Sequence, residues 1–87
     1  MRLLPWTGSD GKPCYLSTDD PDSLLSRIAD DVEAAQLASA EHVLAGSKAV
    51  LQDPKAGERA LRFALTRATE SLGDVLRVAV SRGGGTR

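Results

Sequence analysis

Few side chains in this sequence are of types that do chemistry, and their spacing limits what each can do. His42 is the only histidine and follows Glu41. A metal site in a helical bundle needs Glu-x-x-His so that both ligands project inward from one face. Neither Glu33 nor Glu41 stands three residues before a histidine, so no metal is expected. Asp30, Asp31 and Glu33 crowd one turn. Successive helical positions point about 100° apart, so these acids do not converge as a general acid–base pair. Cys14 is the only cysteine, which excludes an internal disulfide and any cysteine-cluster metal site. It has no histidine near it in sequence and reads as a small, half-buried hydrophobe rather than a nucleophile. Gly83-Gly84-Gly85 follows a helical pattern instead of opening one after a strand, so it is no phosphate loop. No catalytic residue and no cofactor is expected, and the chain reads as a non-enzyme.

Two short motifs fail on position. Leu4-Pro5-Trp6-Thr7-Gly8 matches the L-P-x-T-G pattern of sortase substrates. That signal works near a C-terminus, ahead of an apolar segment and a basic tail, and here it has neither. Trp6-Thr7-Gly8 also spells the W-x-G of small secreted helical-hairpin proteins, which carry it between two helices; here it precedes both. Arg59, Arg62 and Arg67 form a candidate basic docking face for an acidic partner or for nucleic acid, although acids interleave with the arginines of this segment. Gln36, Ser39, His42 and Ser47 are the polar residues on or beside an apolar stripe, and they mark where a small ligand would sit at a helix seam.

These residues must be positioned by helices. Asp20-Pro21-Asp22 reads as a helix start, with Asp20 as N-cap and Pro21 at the first helical position, where a missing N–H costs nothing. From there to residue 52 the apolar and small residues Leu25, Ala29, Val32, Val43, Ser47 and Val50 fall on one side. Leu37, Leu44 and Leu51 repeat at heptad spacing along its edge, making the apolar face wider than one neighbouring helix needs. A second amphipathic helix is predicted over residues 54–82, with Asp53 as cap and Pro54 at the first position, or with Gly57 delaying regular helix until Glu58; Leu61, Leu65, Leu72, Leu76 and Ala79 lie on its apolar side. Phe63 projects toward the polar side, where it either packs under the leader with Trp6 and Tyr15 or anchors a partner. Residues 1–19 read as two short extended segments around a Gly-rich turn, and residues 83–87 as a tail. Pro5 and Pro13 each remove a ladder donor, so pairing in the leader is expected to be partial.

Composition sets the scale. Eighty-seven residues make one small domain. With three aromatic residues, Trp6, Tyr15 and Phe63, its core is of Ala, Leu and Val, which suits close-packed helices. The net charge of −1 gives no bulk attraction to nucleic acid or membrane. Charge is uneven, however: residues 1–33 carry three basic side chains against seven acids, and residues 34–87 eight against five. Met1–Leu4 is too short for the apolar core of a signal peptide, and no apolar run approaches a membrane span, so a cytoplasmic location is expected.

The opening Leu3-Leu4-Pro5-Trp6-Thr7-Gly8-Ser9-Asp10-Gly11-Lys12-Pro13-Cys14-Tyr15-Leu16 resembles that of short, functionally unassigned actinobacterial proteins. Segments such as Ser26-Arg27-Ile28-Ala29-Asp30 and Arg77–Gly83 are similar in character. The resemblance implies a bacterial cytoplasmic origin and no activity. The expected architecture is all-α: an antiparallel two-helix hairpin with an extended or β-hairpin-like leader. A lone hairpin leaves the Leu37-Leu44-Leu51 edge, and Phe63 or Val78, in water, and two copies closing into a four-helix bundle would cover them. The function that fits is a homodimeric adaptor or regulatory module with an unidentified protein partner.

Overall fold

The computed structural model describes residues 1–17 and 23–83. In chain order these form β1 (Arg2–Thr7), β2 (Pro13–Leu16), α1 (Leu24–Gln52) and α2 (Glu58–Ser81). The fold is mainly helical: α1 and α2 pack against each other, and the strands form a small antiparallel ribbon at one end. At 1.5 Å per residue the helices are about 43 and 36 Å long. The short connection folds α2 back along α1, bringing Val50 beside Ala64 and Leu44 beside Leu72.

The ribbon turns where the glycines permit it. Gly11 holds φ +78°, its N–H donates to the Gly8 carbonyl at 2.9 Å, and the Gly8 N–H donates to the Lys12 carbonyl at 2.9 Å. Arg2 pairs with Leu16, Leu3 with Tyr15 and Thr7 with Pro13. Between Leu3 and Thr7 the register slips. Pro5 lies in that irregular stretch and has no N–H to give.

Two helix boundaries differ from the sequence expectation. The N-cap of α1 is Ser23, whose hydroxyl accepts from the Ser26 N–H at 3.2 Å, and regular helix begins at Leu24. The expected Asp20 cap and Pro21 lie outside the described residues. Helix α2 begins at Glu58 and not at Pro54. The cause is local competition for Asp53: its Oδ1 accepts from the Lys55 N–H at 2.9 Å, which closes a turn around Pro54, and its own N–H caps α1 through the Val50 carbonyl. Gly57 is then the N-cap, in extended backbone, and Glu58 sits on the positive end of the α2 dipole. Helix α2 stops where Gly83 takes φ +83° and its N–H reaches the Val80 carbonyl.

Little of this is sealed from water. Leu4, Ala29 and Val78 are the buried hydrophobic residues, and they gather where β1 crosses the hairpin, so Val78 is not left in water, contrary to the expectation for a lone hairpin. The chain exposes 6475 Å², where a compact protein of its mass exposes about 4,900 Å². Its radius of gyration is 15.6 Å, against about 12 Å for a globular chain of this length. Among the described residues, no helix is long and apolar enough to cross a membrane.

Candidate interaction surface

Several of the exposed large apolar residues share one flank of the hairpin. Helix phase carries Leu44 and Leu51 of α1 to the same side as Leu61, Leu65, Leu72 and Leu76 of α2. Leu44 and Leu72 border an open groove of about 330 Å³ with Val43, Ser47, Ala68 and Val75 along its floor. Leu51, Leu61 and Leu65 border its continuation toward the loop, with Val50 and Ala64 beneath. The six leucines are each between 44% and 78% exposed, which together leaves the equivalent of between three and four whole leucine side chains in water. Leu37, the third residue of the expected heptad row, is half-buried nearer the leader. Scattered exposed apolar residues are normal on a protein surface, whereas a continuous two-helix face of leucines is not.

Phe63 does not belong to this face. It precedes Ala64 in the seam, while Leu65 follows it, so the two project to opposite sides. Phe63 is 67% exposed and borders a second groove with Ser39, His42, Gly46 and Arg67. The expected grouping of Leu37, Leu44, Leu51 and Phe63 is therefore split between two flanks. Packing of Phe63 under the leader is also ruled out. Val78, which lies where β1 crosses, is fifteen residues further along α2, about 22 Å away.

The candidate ligand residues are divided as well. Ser39, His42 and Ser47 line the groove beside Phe63, but Gln36 is drawn away: its Nε2 donates to the Pro5 carbonyl at 2.8 Å. Gln36 thus fastens β1 to α1. Among the described residues, no three His, Cys, Asp or Glu side chains come together as metal ligands.

The arginines of α2 do not make one strip. Arg62, Arg59 and Arg67 are spread over about 140° of the helix circumference. Arg67 is paired with Glu70 at 2.6 Å, and Arg77 with Asp74, so each carries its own counter-charge. Of the candidate docking face, Arg67 is thus partly neutralised by Glu70.

The charge site that the sequence reading missed is Glu33. It is 2% exposed, set beneath the leader among Ser26, Ala29 and Val78. Its Oε1 lies 3.3 Å from Arg2 Nη2 and 3.7 Å from Arg82 Nε. Arg2 also donates to the Ser26 carbonyl at 3.2 Å and to Asp30 Oδ1 at 2.7 Å. Burial works against the Arg2 charge, but the hydrogen bond to Asp30 and the charge of Glu33 outweigh it and hold its pKa above the ordinary value. One local signal was available. Ser26, Glu33, Ala40 and Ser47 form a heptad row along the seam, and an acid among small seam residues implies a cation brought from elsewhere. No family model matches the chain, and no curated protein or solved structure matches it.

Proposed function

We propose that this chain is a non-enzymatic interaction module that works as a homodimer, two hairpins burying their leucine faces to form a four-helix bundle. In this reading the assembled bundle serves as an adaptor or regulatory partner of another protein, with the leader and the α2 arginines on its outer surface. The observation that carries the reading is the leucine face itself. Five leucines from two helices border two adjoining open grooves, Leu76 lies in phase with them, and the molecule has about 1,500 Å² of surface beyond what a compact monomer shows. A standard stable interface takes about 800 Å² from each partner, which is the area the leucine flank and its borders would have to bury. Full burial of one leucine is worth about 1.5–3 kcal/mol, so each copy would contribute roughly 5–11 kcal/mol. Two copies together offset the estimated 4–15 kcal/mol cost of association. A two-fold pairing also covers the same face on both copies and closes after two.

Native mass spectrometry of the untagged chain tests this directly. A species at twice 9.2 kDa with no retained small mass supports the bundle. A monomer at micromolar concentration refutes the homodimer and leaves the leucine face to a different chain. Nucleic-acid binding through Arg59, Arg62 and Arg67 is the alternative reading, which the overall charge of −1 does not favour, and absence of a shift with random duplex DNA at low salt would remove it.

A further inference from the structure

The residues shut off from water gather in one place. Leu4 and Pro5 of β1, Ser26, Ala29 and Glu33 of α1, and Val78 of α2 are buried, all at the leader end. No residue from 34 to 77 is buried. The leader therefore does for one half of the hairpin what none of the other described residues does for the other half. Its own order depends on that docking, because an isolated two-stranded ribbon is marginal in water.

At the centre of this contact lies a charge. Glu33 Oε2 is buried without a hydrogen-bond partner, and Oε1 depends on Arg2 and, more distantly, Arg82. Closing a strand over a carboxylate is favourable only if a cation arrives with it, since an unpaired buried charge costs far more than one hydrogen bond returns. Arg2 is that cation, and it rides on β1. Its guanidinium spans Glu33, Asp30 and the Ser26 carbonyl, which spreads its donors over two turns of α1. Leu4 and the Gln36 bond to Pro5 add to the hold.

We propose that Arg2 and Glu33 form a charge latch that straps residues 1–17 across the hairpin, and that opening the strap uncovers the Ala29–Val78 stretch of the seam and lengthens the surface offered to a second copy of the chain. The proposal rests on the homodimer reading and names what regulates it: strap and second copy compete for adjoining parts of one seam. The latch makes that competition sensitive to anything that draws Arg2 away, such as an anionic partner.

The strap carries its own reporters, because Trp6 and Cys14 are the only tryptophan and cysteine. Acrylamide quenching of Trp6 and the rate of Cys14 modification by a thiol reagent are measured in the full chain and in Arg2→Gln. Far-UV circular dichroism follows the helices, and sedimentation equilibrium gives the dimer constant. For Arg2→Gln we expect quenching and modification to rise severalfold, helix content to hold, and the dimer to tighten at least tenfold. Glu33→Gln should open the strap less, because Arg2 keeps Asp30, and it decides the question on the same readouts if Arg2→Gln loses helix. Protected Trp6 and Cys14 in the variant that folds would overturn the latch. An open strap with an unchanged dimer constant overturns the competition and leaves the dimer standing. Failure of every variant and of the unmodified chain to dimerise sinks the homodimer and the competition together, while the two strap reporters still judge the latch.

Discussion

Truncating Leu65 to alanine separates a folding role from an association role. Leu65 is 69% exposed in the hairpin, so the single chain loses little by its removal. Alanine is also the better helix former, and the monomer should change by no more than about 0.5 kcal/mol. In a bundle the account differs. A Leu→Ala change at a fully buried site costs about 2–5 kcal/mol. Scaling by the exposed share leaves roughly 1.4–3.4 kcal/mol per copy, counted twice in a two-fold dimer. The dimer constant should therefore weaken by about 3–7 kcal/mol, or roughly two to five powers of ten. Sedimentation equilibrium across a wide concentration range reads this constant. Thermal unfolding at several concentrations provides a second readout, since the melting temperature of an associating chain rises with concentration. If Leu65→Ala leaves the dimer constant unchanged, or if unfolding of the unmodified chain is independent of concentration, the leucine face is not where two copies meet.

Two further perturbations test separate elements. Ser23→Ala removes the hydroxyl that accepts from the Ser26 N–H and should cost about 1 kcal/mol by chemical denaturation, localised by hydrogen exchange to the first turn of α1. Gly46→Ala adds a Cβ that meets nothing within 4 Å. It should stabilise α1 by about 0.8–1.0 kcal/mol with no change in the dimer constant, because Gly46 lies on the Phe63 flank; weaker association would move the interface to that side.

What was legible in the sequence was governed by periodicity and local punctuation. The heptad and 3.6-residue spacings placed both helices, the proline–glycine segments placed the ribbon, and Gly83 marked the end of α2. The start of α2, at Glu58 rather than Pro54, shows where local signals compete. Asp53-Pro54 is a helix opening by type, yet the same carboxylate closed a turn on Lys55 because α1 claimed the Asp53 backbone first. Phe63 was placed on the polar side by phase alone, but which flank that meant depended on where the seam ran, and the seam is a property of two helices together. Glu33 was the least legible. Its partner Arg2 lies thirty-one positions away on an element of different type, and within its own turn it looked like one of three solvated acids.

The two-stranded ribbon bears on the hazards of so open a molecule. A ribbon has two outer edges, and free edges invite further strands. Here Pro5 and Pro13 each strip one donor from the ribbon, and the slipped register between Leu3 and Thr7 breaks the regular spacing that an added strand would match. Growth by strand addition, which has no natural end, is thereby discouraged at the edges of the ribbon. The sticky surface lies instead on helices whose backbone groups are already satisfied, where contact is made by side chains alone.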